Sequence, residues 1–130
     1  MTMTAIRPLV DRFKALSHPM RLRLLALLKD GELCVCQMME IVDLAASTTS
    51  EHLSELRRAG LLTERKEGRW VYLGLSENPQ IKVFLETLWP SLDLDPQIKK
   101  DRKKAHSVKK TPLLTTCSRM SSGRDLEPGQ

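Results

Sequence analysis

Apolar residues recur at i, i+3, i+4 and i+7 in two well-separated stretches, Ile6-Leu9-Val10-Phe13 and Ile81-Phe84-Leu85-Leu88, while the run from Trp70 to Leu75 keeps a period of two. The first spacing lays side chains along one stripe of a helix; the second alternates them across a strand. A chain patterned this way is expected to be mainly α with a small β-hairpin. Composition agrees: 41% of residues are hydrophobic but only 4% aromatic, so the core is made of Leu, Ile, Val, Ala and Met, which favours helices over a β-sandwich. At 130 residues, one modest core is the expectation.

Punctuation along the chain divides the helical region. Pro8 is tolerated in the first turn of helix 1, and Ser17-His18-Pro19 supplies a cap and a new start. Helix 2 then runs to about Lys29 with Leu24, Leu25 and Leu28 inward, and Asp30-Gly31 ends it. Helix 3 is expected from about Cys34 to Val42, and helix 4 from Ser47 or Thr48, where Thr48-x-x-Glu51 has the form of a capping box. On helix 4, Thr49, Leu53 and Leu56 share one side, leaving Ser47, Thr48, Glu51, Glu55 and Arg58 on the other, free to enter a groove. Strands over Leu62 to Arg65 and Trp70 to Leu75, joined by Lys66-Glu67-Gly68-Arg69, make a hairpin with a basic tip, and Pro90 ends or kinks helix 5. Residues 1–95 are thus read as the folded domain. Residues 96–130 are read as a basic, mostly disordered tail, since Lys99 to Lys110 carries seven basic residues against one acidic and the remainder is rich in Ser, Thr, Pro and Gly.

The net charge of +5, from 21 Lys and Arg against 16 Asp and Glu, suits a polyanionic partner. No stretch approaches the roughly 18 apolar residues of a membrane helix, so a cytoplasmic protein with no membrane partner is expected. Three cysteines, an odd number, do not make a disulfide framework, and a reducing cytosol would keep Cys34, Cys36 and Cys117 as thiols able to bind a metal or metalloid. On an ideal helix, Cys34 and Cys36 at i, i+2 are separated by about 200°. To share an ion they require the first turn of helix 3 to be extended or to unwind on binding.

Three segments, Glu32-Leu33-Cys34-Val35-Cys36, Ser50-Glu51-His52-Leu53-Ser54-Glu55-Leu56-Arg57-Arg58-Ala59-Gly60-Leu61 and Arg65-Lys66-Glu67-Gly68-Arg69-Trp70-Val71-Tyr72, occur in an order that resembles the ArsR/SmtB metal-responsive repressors. The likeness covers roughly residues 8 to 90. It implies a homodimeric winged helix-turn-helix, an inverted-repeat operator in double-stranded DNA, and release from DNA when an ion binds. The implied dimer interface is formed by helices 1 and 5, through Ile6, Leu9, Val10 and Phe13 and through Ile81, Phe84, Leu85 and Leu88. Pairing would cover two stripes that a small domain leaves over; the alternative is that both simply close the core of one subunit.

This sequence departs from the resemblance at two places. Arsenic-sensing members often continue the cysteine box as Cys-Val-Cys-Asp-Leu-Cys, whereas here it reads Cys34-Val35-Cys36-Gln37-Met38-Met39, without the third local thiol. Ala45-Ala46 and Glu51 stand where the family often has Ser-Gln and a basic residue.

Ligand counting points to trivalent arsenic or antimony as inducer. Cadmium and lead members of the family add N-terminal cysteines, and residues 1–33 contain none; the helix 5 zinc site of related members includes histidine, and residues 76–92 contain none. As(III) and Sb(III) are satisfied by three sulfurs, and no organic cofactor is called for. Cys117 either completes that set or is an idle tail thiol, in which case a small cellular thiol or hydroxide completes a two-thiol site. Ordinary buried cysteines are the plain alternative for Cys34 and Cys36, but a helix N-terminus favours the thiolate.

For DNA, Ser47, Thr48, Ser50 and His52 are short donors or acceptors near the start of helix 4, suited to base edges and phosphates. Glu51 either accepts from a cytosine amino group or caps the helix. Arg65, Lys66 and Arg69 suit phosphate or minor-groove contact, against the alternative of a solvated charged turn. His18 and His106 are read as cap and tail residues. The function expected from all this is a repressor of a metalloid-resistance operon released by As(III) or Sb(III) at Cys34 and Cys36. A dithiol redox-sensing repressor is the nearest rival, and a small thiol oxidoreductase, lacking a βαβ scaffold, the more distant one.

Overall fold

Where the sequence reading leaves a basic tail, the chain continues into a helix that closes the core. The computed structural model describes residues 2–117. Seven helices and three strands follow in the order α1 (Thr2–Leu16), α2 (Pro19–Leu27), β1 (Leu33–Cys34), α3 (Val35–Val42), α4 (Ala46–Arg58), β2 (Leu62–Glu67), β3 (Trp70–Leu75), α5 (Pro79–Glu86), α6 (Trp89–Asp93) and α7 (Pro96–Lys109). No helix among the described residues is long and apolar enough to cross a membrane.

Local chemistry explains most boundaries. The Ser17 hydroxyl donates to the Lys14 carbonyl at the end of α1, and His18 caps α2 by accepting from the Met20 amide at 3.1 Å, with Pro19 opening that helix. Asp43 turns the chain between α3 and α4 in the left-handed region, φ 54°. Helix α4 starts earlier than the capping-box pattern indicates. Its N-cap position is Ala45, and the buried Thr49 both donates its amide to the Ala45 carbonyl and returns its hydroxyl there at 3.0 Å. Thr48 and Glu51 therefore lie inside the helix, and the expected Thr48–Glu51 box does not cap it.

The expected hairpin forms and is longer on its first arm. Glu67 pairs with Trp70, so the loop is the two residues Gly68 and Arg69, with Gly68 at φ 63° supplying the positive φ that a two-residue hairpin demands. The sheet gains a third strand, in the order β1-β3-β2, because Leu33 and Cys34 pair antiparallel with Leu73 and Tyr72. Cys34 is thus extended backbone at a sheet edge, one residue before α3, and not the first residue of a helix.

The core joins Leu24, Leu25 and Leu28 of α2 to Met38 of α3, Leu53 and Leu56 of α4, Leu73 of β3, and Ile81 and Leu85 of α5. Helix α7 corrects the reading of residues 96–130 as a mostly disordered tail. Asp95 caps it by accepting from the Gln97 and Ile98 amides, and it buries Ile98, Asp101, Ala105 and Val108, the last two within the main core. Buried Asp101 accepts a two-pronged bond from Arg23 of α2, at 2.8 and 2.9 Å, and a third from Gln97 at 3.0 Å. Lysines occupy the exposed positions between these residues, so a count of charge hides the buried stripe. Residues 113–117 form a further helical segment; residues 118–130 of the proposed tail lie outside the described residues.

Candidate functional site

Three sulfurs converge where β1 meets α3. Cys34 has φ −75° and ψ 149°, and its amide donates to the Gln37 side-chain oxygen at 2.9 Å, which holds the extended turn at the head of α3. Because Cys34 is extended, the opposed directions expected of an i, i+2 pair on a helix do not arise. Its side chain and that of Cys36 lie on one side without any unwinding. Helix α7 returns the chain to α3 so that Cys117, on the segment that follows, reaches the same place. The three Sγ atoms all lie within 4.8 Å of one another. Cys36 and Cys117 are joined as a disulfide, with Cα atoms 5.3 Å apart, where three free thiols were expected; Cys34 is free and buried. Reduction of that bond leaves three thiols in one cluster, a soft donor set for thiophilic ions.

The outer face of α4 is polar, as its periodicity requires. Ser47, Ser50, Glu51 and Arg58 are exposed, Thr48 and His52 are half-buried, and Thr49, Leu53 and Leu56 are buried. His52 is less free than its position in the sequence indicates: Nδ1 accepts from Arg21 Nε at 3.2 Å, and its ring lies 4.4 Å from that of His18. Burial first, then the neighbouring His18 and Arg21, push its pKa below the ordinary histidine value, so the neutral acceptor is the favoured form. Arg58 is paired with Glu55 at 3.0 Å.

The wing residues divide. Lys66 and Arg69 are exposed, and the Arg69 guanidinium lies over the Trp70 ring at 4.9 Å. Arg65 is already committed: it pairs with Glu32 at 2.9 Å and with Glu67, and stacks over Tyr72 at 4.6 Å. These carboxylates raise its pKa and lower that of Glu32, so Arg65 ties the wing to the segment before β1 instead of standing free for phosphate. Arg21, which holds His52, and Glu32, which holds Arg65, were missed; their partners lie 31 and 33 residues away, and no local pattern marks them.

The stripes assigned to a dimer interface also divide. On α1, Ile6, Leu9, Val10 and Phe13 are exposed, Ile6 by 57% and Phe13 by 58%. On α5, Ile81 and Leu85 are only 4% and 2% exposed and belong to the core of their own subunit, which corrects their placement at the interface. Phe84 and Leu88 are half-buried, with the Phe84 ring edge-to-face against Phe13 at 5.7 Å. Val83, which the periodicity does not select, is the exposed apolar residue of α5, at 63%.

A helix-turn-helix followed by a three-stranded wing, with a polar outer helix face, defines a winged-helix DNA-binding transcriptional regulator and not an enzyme. Residues 18–64 match the family model described as bacterial regulatory protein, arsR family. The chain is 33% identical over 110 residues to the arsenical resistance operon repressor of Escherichia coli, covering 84% of this chain and 88% of that protein. The chain belongs to the arsR family. It is also 36% identical over 77 residues to the arsenic resistance transcriptional regulator ArsR1 of Pseudomonas putida, 58% of this chain and 59% of that one, and 43% identical over 61 residues to a cadmium resistance regulatory protein of Listeria innocua, 46% of this chain and 51% of that one. Among solved structures, reduced HlyU from Vibrio cholerae aligns with a TM-score of 0.60 at 34% identity, covering 68% of this chain and 93% of that one. A homodimeric winged helix-turn-helix domain from Mycobacterium bovis aligns with a TM-score of 0.63 at 24% identity over 69% of this chain and 83% of that one, which supports the fold alone.

Proposed function

We propose that the protein represses a metalloid-resistance operon and is released from its operator when As(III) or Sb(III) binds Cys34, Cys36 and Cys117. The observation that carries this reading is the convergence of three sulfurs within 4.8 Å. Arsenite needs three sulfurs and no fourth ligand, whereas tetrahedral zinc or cadmium needs another donor, and among the described residues the cluster consists of these three cysteines. Cys34 and Cys36 also sit at the head of α3, the first helix of the DNA-reading unit, so a change in their bonding acts on the support of α4. Shifting a dimer from about 99% to about 1% competent requires roughly 5.5 kcal/mol of differential binding, within reach of several thiolate bonds.

On DNA, Ser47, Thr48, Ser50, Glu51 and His52 of α4 contact bases and phosphates, with Arg58, Lys66 and Arg69 on the backbone or in the minor groove. The exposed α1 stripe pairs two copies, and the dimer reads an inverted repeat with half-sites about one helical turn apart. A cytoplasmic location follows from this role. The test is a gel shift of the reduced protein on its own promoter with arsenite, antimonite, cadmium or zinc. Arsenite should release wild type at the lowest concentration, while Cys34→Ser and Cys36→Ser stay bound. Loss of DNA binding by both variants without any inducer would make these cysteines structural and end this reading.

The Cys36–Cys117 disulfide favours a second reading, a redox-sensing repressor using the same sulfurs. It predicts release by peroxide in the absence of any metalloid, and loss of that response in Cys117→Ser.

A further inference from the structure

The thiol cluster opens on one side into a cleft of about 410 Å³ between the start of α3, the middle of α4 and the wing. Cys34 and Cys36 line it; Cys117 does not. Its walls include Leu53 of α4 and Trp70, Val71 and Leu73 of β3, while the Arg57–Glu64 ion pair and Arg69 supply its polar rim. Inorganic arsenite, which three sulfurs would enclose, makes no use of this space.

We propose that the cleft receives the carbon substituent of a trivalent organoarsenical whose arsenic is held by Cys34 and Cys36, a refinement that rests on the metalloid reading above. Valence supports the division of labour. An aryl arsonous acid, R–As(OH)2, has two exchangeable oxygens: two As–O bonds break, two As–S bonds form, each thiol proton leaves with a hydroxide as water, and arsenic stays trivalent. Two sulfurs thus satisfy it, the carbon group takes the third position, and Cys117 is not needed. Inorganic As(OH)3 exchanges three such bonds and uses all three cysteines. Size and chemistry fit as well: a dry apolar cavity of about 150 Å³ accepts a benzene ring, and the half-buried Trp70 offers an aromatic face beside it. A ring seated there stands between α4 and the wing, so the occupant touches the two elements that engage DNA.

The experiment uses full-length protein, reduced and freed of reductant, and compares arsenite, methylarsonous acid and phenylarsonous acid by calorimetric titration. Both organic forms make two sulfur bonds, so their ratio isolates the cleft. Phenylarsonous acid should bind about tenfold or more tightly than the methyl compound, the gain from burying a ring. Cys117→Ser should weaken arsenite binding and leave the phenyl compound unaffected. Ser54→Phe, which fills the cleft from α4, should abolish the phenyl preference while retaining methyl affinity, and Trp70→Ala should reduce the same preference if Ser54→Phe does not fold. Equal affinity for the phenyl and methyl compounds in wild type, or a phenyl preference that survives these cleft variants, overturns the proposal even where arsenite binds. Failure of all three arsenicals to bind overturns the metalloid reading along with it.

Discussion

Helices α1 and α5 carry the same apolar spacing and meet opposite fates. The four stripe residues of α1 are exposed, whereas in α5 Ile81 and Leu85 are buried against α2 and the sheet. The two helices touch through Phe13 and Phe84, so one apolar face continues into the other at the edge of the core. The difference teaches that a stripe declares a face to be covered without naming what covers it. On α5 the cover is the chain itself, and on α1 we assign it to a second copy.

Truncation separates these fates most sharply. Leu85→Ala should cost about 2–5 kcal/mol of unfolding free energy, because it opens a cavity in a closed core. Phe13→Ala should leave the denaturation of an isolated subunit nearly unchanged, and an effect on the scale of Leu85→Ala in denaturant titrations at low protein concentration would break the comparison. The α7 anchor comes next. Asp101→Asn weakens charged hydrogen bonds to Arg23 and should cost about 1.5–3 kcal/mol, read from the same titrations. No measurable cost would return α7 to the tail first read there.

The α1 stripe should register in assembly. Phe13→Ala should weaken dimerisation by about 1–2 kcal/mol, read as a concentration-dependent shift in sedimentation, with Leu9→Ala acting in the same direction. Unaltered dimers would mean that something else covers this face. The smallest effect concerns the link between α1 and the recognition helix, since Arg21 donates both to His52 of α4 and, at 3.5 Å, to the Ala15 carbonyl near the end of α1. The native state resists protonating His52, so its pKa lies below the unfolded value near 6.5. Stability from this group is complete above that value and falls as pH drops through the window down to the native pKa. His52→Gln should flatten that part of the stability-versus-pH curve, and an unchanged curve would remove His52 from the link.

Much of the architecture was legible because it depends on neighbours in sequence. The caps at His18 and Asn78, the two-residue turn at Gly68 and the inward Thr49, Leu53 and Leu56 of α4 are short-range consequences of side-chain chemistry and periodicity. The Cys34–Cys36 pair was visible for the same reason. Less legible were β1, two residues whose strand character exists only because the edge of β3 is available to pair, and α7, whose buried Ile98, Ala105 and Val108 are diluted by lysines. Arg65 looked like a phosphate ligand because its carboxylate partner Glu32 is 33 residues away.

The candidate site divides along the same line. Residue types and spacing determined by themselves that a thiol pair precedes a polar recognition helix, since both are local patterns. Only the tertiary structure decided that Cys34 is extended, that both thiols therefore face one cluster, and that Cys117, 81 residues beyond Cys36, joins them. The physical reason is that α7 carries the chain back to α3 through a buried stripe and the Arg23–Asp101 pair. These interactions are long-range, and their contribution appears only when the distant partner is in place.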